Sequence, residues 1–128
     1  MVMLFDSFNL PENIFEIIFA TKQQAIVGRL LFKKLKENND VMTKTDMSEF
    51  ATILHEGKLI AEIDEPQYQG KKVKLSYNKR QFYDRILTPM KSMGLIDYDL
   101  YRKVYKSSDQ FNKVMISLGI MWMQEYRK

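Results

Sequence analysis

Apolar residues recur at helical spacing along most of this 128-residue chain. Apolar side chains at i, i+3, i+4 and i+7 form one buried stripe on an α-helix. Met47, Phe50, Ala51 and Leu54 show this spacing most clearly. The same pattern across residues 11–38 fits two helices or one bent helix. The predicted helical segments are residues 11–20, 21–38, 44–56, 78–93 and 109–127.

Residues suited to helix ends bracket these segments. Pro11 fits a first helical position, because its missing N–H costs nothing there. Thr21 and Gln24 match a capping box, and Gly94 can end the fourth helix in the left-handed conformation. Further N-cap candidates are Thr43, then Ser76 or Asn78, then Ser107, Ser108 or Asp109.

Two pairs of short strands are predicted between the helices. Leu59 and Ile60 precede, and Val73 and Leu75 follow, a loop through Gly70. Residues 95–98 and 103–105 flank the turn at Asp99 to Arg102 and predict a compact hairpin.

Positive charge is concentrated in one third of the chain. Residues 71–106 hold ten Lys or Arg against three acids, whereas residues 1–70 hold seven against eleven. The whole chain carries only +4. Such a block indicates a basic surface with a polyanion as partner, and the alternative is a solvated lysine-rich face.

Several classes of protein are disfavoured by composition. The chain has no cysteine, which excludes disulfides and thiolate metal sites. The apolar start is short and contains Asp6, so a signal peptide is not expected, and no run is long enough to span a membrane. The single histidine, His55, follows Leu54 near a helix end and suits a surface or helix-terminal role. No nucleotide, hydrolase or metal-ligand motif is present, so we expect no catalytic residues, metal or cofactor.

Three pieces of the sequence resemble the winged helix-turn-helix DNA-binding family, particularly small archaeal and archaeal-virus regulators. MTKTDMSEFATIL resembles the helix before the recognition helix, NKRQFYDRILTPMKSMGLI the recognition helix, and IDYDLYRKVY the wing. The resemblance covers roughly residues 21–106. It implies one domain over residues 1–128, of class α+β and mainly α, with extra N- and C-terminal helices and a short β-hairpin wing.

The chain departs from this family pattern in two places. The family joins the two helices by a short turn, whereas residues 58–75 form an insertion here. Pro89 lies inside the predicted recognition helix, where it removes a backbone hydrogen bond and is expected to kink the helix.

The side chains predicted to contact DNA lie on the fourth helix, the wing and the insertion. Arg can bond bidentately to guanine and Gln to adenine in the major groove, so Arg80, Gln81 and Arg85 are candidates for base edges. The candidates for phosphate contact or helix support are Asn78, Lys79, Tyr83 and Thr88, with Tyr83 equally suited to the core. Arg102 and Lys103 in the wing, and Lys71, Lys72 and Lys74, are expected to add backbone contacts.

The terminal helices, 11–20 and 109–127, offer more apolar surface than a three-helix core covers, which marks a partner interface. The residues expected in a homodimer interface are Phe111, Val114, Met115, Leu118, Met121 and Trp122. The alternative is that both helices pack on their own domain. A two-fold dimer would present two recognition helices to half-sites about one DNA turn apart.

We therefore predict a dimeric, sequence-specific regulator of transcription that binds double-stranded DNA in the cytoplasm, associated with the nucleoid. The second hypothesis is a winged-helix interaction module in a replication or transcription assembly. The third is nonspecific, architectural DNA binding. The sequence indicates no small-molecule effector.

Overall fold

The computed structural model of the chain describes residues 5–62 and 72–128, in which helices alternate with short antiparallel strands. The fold is α+β and mainly helical, as the sequence predicts. The elements in chain order are α1 (Phe15–Ile18), α2 (Lys22–Glu37), β1 (Val41–Thr43), α3 (Lys44–His55), β2 (Leu59–Glu62), β3 (Lys72–Leu75), α4 (Lys79–Phe82), a π-helical turn (Tyr83–Leu87), α5 (Thr88–Ser92), β4 (Ile96–Asp99), β5 (Val104–Ser107) and α6 (Gln110–Arg127).

The N-terminal region forms two helices rather than one bent helix. The predicted helix over residues 11–20 is wrong in extent, because α1 covers only Phe15–Ile18. The Asn13 carboxamide oxygen accepts from the Phe15 N–H at 3.0 Å, and this local turn replaces a helical start at Pro11. α2 begins as predicted at Thr21, whose hydroxyl accepts from the Gln24 N–H at 3.1 Å.

A three-stranded sheet combines the predicted hairpin with a strand that the sequence analysis did not predict. The strand order is β1–β5–β4, and both pairs are antiparallel. Met42 lies opposite Tyr105, and Tyr98 lies on the other side of Tyr105. β1 contains only three residues. It follows Asn39 and Asp40, which adopt the left-handed backbone conformation, and it leads directly into α3. A strand this short has too little alternation to be predicted from sequence.

The insertion forms the predicted two strands. β2 and β3 are antiparallel, with Leu59 opposite Leu75 at the base of the hairpin. Both leucines pack against the main core. The predicted loop through Gly70 lies outside the described residues.

The predicted helix over residues 78–93 is a continuous helical segment, Lys79–Ser92, with a change of geometry in its middle. The Thr88 N–H donates to the Tyr83 carbonyl and closes the wider ring of a π-helical turn. Pro89 follows directly and has no N–H to donate to the Arg85 carbonyl. The backbone hydrogen bonds thus change from α-helical to π-helical spacing in the turn before Pro89, and the kink at Pro89 stays a prediction.

One core joins α1, α2, α3, the 79–92 segment and the sheet. Phe82 packs on Phe50 with ring centroids 5.6 Å apart. Gly94 ends the 79–92 segment at φ +86, and a Cβ there would lie 2.9 Å from the Phe111 nitrogen of α6. The side chains buried to 2 % exposure or less include Leu31, Leu35, Met42, Met47, Leu54, Ile86, Leu87, Met90 and Ile96.

We expect Thr43→Ala to destabilise the fold by about 1 kcal/mol. The Thr43 hydroxyl accepts from the Asp46 N–H at 3.0 Å, while the Asp46 carboxylate accepts from the Thr43 N–H at 3.1 Å. Urea unfolding measures the loss, and Thr45→Ala, on the exposed first turn of the same helix, is the control. Equal stability of the two variants would show that the capping box contributes nothing.

Candidate nucleic-acid interface

The insertion leaves the start of α4 next to the end of α3. The Tyr77 N–H donates to the Leu54 carbonyl at 3.0 Å, and the Lys79 N–H donates to His55 Nδ1 at 3.1 Å. Tyr77 is buried, and the Gln24 amide donates to its hydroxyl at 3.4 Å. α3 and the 79–92 segment therefore form an adjacent helix pair despite the residues inserted between them.

The polar side chains of the 79–92 segment form one exposed surface. Phe82, Ile86, Leu87 and Met90 are buried and fix the opposite side against the core. The members of this surface, which we call the polar face, are Arg80, Gln81, Asp84, Arg85, Thr88 and Lys91, and each of them is exposed. The structure thus brings together the four predicted contact residues Arg80, Gln81, Arg85 and Thr88.

Two predicted contact residues instead hold the beginning of α4 in place. The Asn78 side chain accepts from the Gln81 N–H at 3.1 Å and is the N-cap, as expected for one of the two candidates. The Lys79 ammonium donates to the Thr52 hydroxyl at 2.9 Å and to the Ser48 hydroxyl at 3.4 Å. Lys79 therefore lies half-buried against α3 rather than on the polar face.

The polar face carries one acid among its cations. Arg80 Nε lies 3.9 Å from an Asp84 carboxylate oxygen, one helical turn away, and both side chains are largely exposed. An exposed pair of this kind contributes little to stability, so both side chains are available to a ligand. Tyr83 lies at the edge of this face, half-buried against the core with its ring perpendicular to that of Phe82.

The β4–β5 hairpin has a turn held by a single carboxylate. Asp99 accepts from the N–H groups of Tyr101 at 2.9 Å and Arg102 at 3.1 Å, and Lys103 adopts φ +56. Arg102 and Lys103 are exposed, as their predicted role requires. Leu100 and Tyr101 are 76 % and 98 % exposed, although both are large and apolar. The sequence analysis missed these two residues.

Two more cations stand beside this hairpin. The Lys44 ammonium lies 5.5 Å from the centre of the Tyr98 ring, and the Lys91 ammonium lies 6.0 Å from the same ring. Lys44 begins α3 and Lys91 is near the end of the 79–92 segment, so Tyr98 links both helices to the sheet. Lys44 was missed because it lies outside the basic block of residues 71–106.

The remaining basic candidates lie on the β2–β3 hairpin. Lys72 and Lys74 alternate along β3, and both are exposed. Lys71 lies outside the described residues.

The predicted dimer residues divide along α6. Phe111 packs against the core, and Val114 and Met115 are half-buried. Leu118, Met121 and Trp122 are exposed, and α6 contains no buried residue at all.

Within the described part of the chain, no group of three His, Cys, Asp or Glu residues could hold a metal ion. None of the helices in residues 5–62 and 72–128 combines the length and apolar character needed to cross a membrane. No protein-family model, curated protein or solved structure matches this chain.

We expect His55→Ala to loosen the start of α4, because the Lys79 N–H loses its acceptor. The cost is about 0.5–2 kcal/mol, as for other helix N-caps, measured by urea unfolding together with hydrogen exchange of the Lys79 amide. His55→Asn offers an amide oxygen near the position of Nδ1 and should restore most of the protection. Equal hydrogen exchange of the Lys79 amide in the two variants would show that the His55 side chain does not cap the start of α4.

We expect the β4–β5 turn to be sensitive to acid. The pKa of Asp99 lies below its ordinary value of 3.8, chiefly because the Arg102 N–H donates to the carboxylate. The Tyr101 N–H and the positive charges of Lys106 and Arg102 lower the pKa further. Because the pKa of Asp99 is lower in the folded state, its ionised carboxylate stabilises the fold fully at pH values above the unfolded-state pKa. This stabilisation is lost as the pH falls through the folded-state pKa. The amide NMR shifts of Tyr101 and Arg102 should therefore titrate below pH 3.8. The neutral variant Asp99→Asn should abolish this titration, and its persistence would assign the effect to another group.

Proposed function

We propose that the chain is a sequence-specific double-stranded DNA-binding protein, a winged helix-turn-helix regulator of transcription. The observation that carries the proposal is the polar face of the 79–92 segment, which presents Arg80, Gln81 and Arg85 together on an exposed helix. A helix fits the major groove of B-DNA, where such side chains bond to base edges. The resemblance of residues 21–106 to winged helix-turn-helix proteins supports the same function.

The arrangement of elements supports this proposal. A helix-turn-helix places its second helix in the major groove while the first crosses the backbone. α3 and the 79–92 segment are adjacent because Tyr77 and Lys79 bond to the end of α3. The β4–β5 hairpin follows the second helix directly and would serve as the wing in this proposal.

Direct contacts to bases come from the polar face in this proposal. Arg80 and Arg85 bond to guanine and Gln81 to adenine, while the Thr88 hydroxyl reaches a base or a phosphate oxygen. Asp84 accepts from the exocyclic amine of cytosine, which is the base contact open to a carboxylate.

The presence of Asp84 on the polar face favours sequence-specific binding over architectural binding. A carboxylate facing the DNA backbone would be repelled by the phosphates, and a purely electrostatic surface gains nothing from it. An acid in the middle of the polar face weakens attraction to phosphates, but it can accept a hydrogen bond from a base edge. The geometry therefore favours base recognition over binding that depends on charge alone.

Contacts to the phosphate backbone surround this centre. In α3, the exposed hydroxyl of Thr45 and the ammonium of Lys44 lie beside an open cleft of about 440 Å³. In the wing, Arg102 and Lys103 extend from the turn that Asp99 holds, and Tyr101 at the tip can enter the minor groove as other inserted side chains do. Lys72 and Lys74 add attraction that does not depend on sequence.

The function is tested by selecting bound duplexes from a random DNA pool and measuring their affinity at fixed salt. We expect one enriched motif. A protein-interaction module would bind weakly and enrich nothing, and an architectural protein would bind every duplex with similar affinity.

For the selected duplex, we expect Arg80→Ala with Arg85→Ala to reduce affinity at least about 30-fold, because each base contact is worth roughly 1–3 kcal/mol. The matched control is Lys33→Ala with Lys34→Ala, which removes the same charge from the exposed surface of α2. The control should lose less affinity and lose it equally for all duplexes. Equal losses in the two double variants would show that the 79–92 segment does not recognise the bases.

A further inference from the structure

We propose that α6 pairs with α6 of a second copy of this chain, in antiparallel orientation, through the stripe formed by Ile116, Gly119, Ile120 and Met123. This inference concerns a surface apart from the polar face and does not depend on DNA binding.

Among residues 5–62 and 72–128, the contacts that anchor α6 to the domain involve its first residues. The Ser108 N–H donates to the Leu95 carbonyl at 3.1 Å and the Phe111 N–H to the Gly94 carbonyl at 3.0 Å. Beyond Met115, every residue of the helix is exposed. At about 1.5 Å per residue, the 18 residues of α6 span roughly 27 Å, and most of that length lies away from the core.

The exposed part of α6 is apolar on more than one side. Seven large apolar side chains are 40–80 % exposed: Ile116, Leu118, Ile120, Met121, Trp122, Met123 and Tyr126. Ile116, Ile120 and Met123 share one face of the helix with Tyr126 at its edge, whereas Leu118, Met121 and Trp122 lie on the opposite face. Stable interfaces bury about 800 Å² on each partner, so a pair along the first face must also bury Tyr126 and the residues that flank this face.

The stripe that contacts the partner helix must be one that the chain's own domain leaves exposed. The stripe of Phe111, Val114 and Met115 is partly covered by the chain's own domain, so a second helix cannot lie along its whole length. Ile116, Gly119, Ile120 and Met123 follow at helical spacing on another face and are exposed throughout. A Cβ added at Gly119 would meet no atom of the described residues within 4 Å, so a second backbone can approach closely at the middle of this stripe.

Charge favours the antiparallel orientation. Lys113 lies 3.8 Å from Asp109 at the start of α6, and Lys128 lies 3.1 Å from Glu125 at its end, so the charges within each pair largely cancel. The last turn also carries Arg127. A parallel pair would place the two Arg127 side chains together, whereas an antiparallel pair separates them. The two helix dipoles are then also opposed, which is the favourable arrangement.

The mass of the protein in solution tests the proposal. Sedimentation equilibrium of the chain should give twice its 15.3 kDa mass, and Ile120→Glu should give a monomer because a carboxylate cannot be buried in the apolar pair. Ile53→Glu, which places the same charge on an exposed isoleucine of α3, should remain a dimer. A monomeric wild-type chain would overturn the proposal. The same holds if the monomer binds lipid vesicles, because the partner of α6 would then be a membrane surface and not a second copy. Dissociation by both variants would overturn the assignment of the stripe.

Chemical cross-linking tests the stripe without disturbing its apolar character. The chain contains no cysteine, so Ile120→Cys and Leu118→Cys each introduce one thiol in place of an exposed apolar side chain of the same helix. Position 120 lies in the stripe, and position 118 lies about 160° around the helix from position 120. A short bis-maleimide should give covalent dimers of Ile120→Cys and far fewer of Leu118→Cys. Equal yields, or no dimer from Ile120→Cys, would overturn the pairing.

Discussion

The structure depends on the hydrogen bonds that join the end of α3 to the start of α4. A helix end leaves its last carbonyls unpaired and a helix start leaves its first N–H groups unpaired. Here the Leu54 carbonyl near the end of α3 accepts from the Gly57 N–H at 3.1 Å and also from the Tyr77 N–H at 3.0 Å, and the His55 side chain accepts from the N–H of Lys79, the first residue of α4. The last residues of α3 therefore hold the segment that leads into α4 and satisfy one of its free N–H groups, which keeps the two helices adjacent.

This junction explains how the helix pair accommodates an insertion. Leu59 and Leu75 are paired at the base of the β2–β3 hairpin, so the inserted chain leaves and returns at nearly the same point. Closing a longer loop costs little additional entropy, and the leucines at the hairpin base add apolar contacts to the core. The insertion consequently changes what surrounds the helix pair, by adding Lys72 and Lys74, while the pair itself is maintained.

The helices from residue 21 onward, the hairpins and the members of the polar face were predictable because each depends on local spacing of apolar residues or on a cap such as Asn78, whereas the helix expected over residues 11–20 covers only Phe15–Ile18. Features that depend on distant partners were not. Lys79 follows the N-cap and appears in sequence to be one more surface cation, yet Thr52 and Ser48, more than two dozen residues earlier, take its ammonium. His55 was correctly expected at a helix end, but its acceptor role requires Lys79 to be adjacent. β1 forms a strand mainly because it pairs with β5, and no short-range pattern in the sequence predicts that pairing.

The same distinction applies to α6. Its sequence shows an apolar surplus, but it does not show which stripe the chain's own domain covers. Gly94 allows the first turn of α6 to approach within contact distance, and this packing covers Phe111 while leaving Ile116 and Ile120 open. The tight turn at Gly94 also ends the 79–92 segment. Gly94 therefore both ends the proposed recognition helix and contacts the first turn of α6. In the proposed two-fold pair, the separation of the two polar faces would depend on this contact.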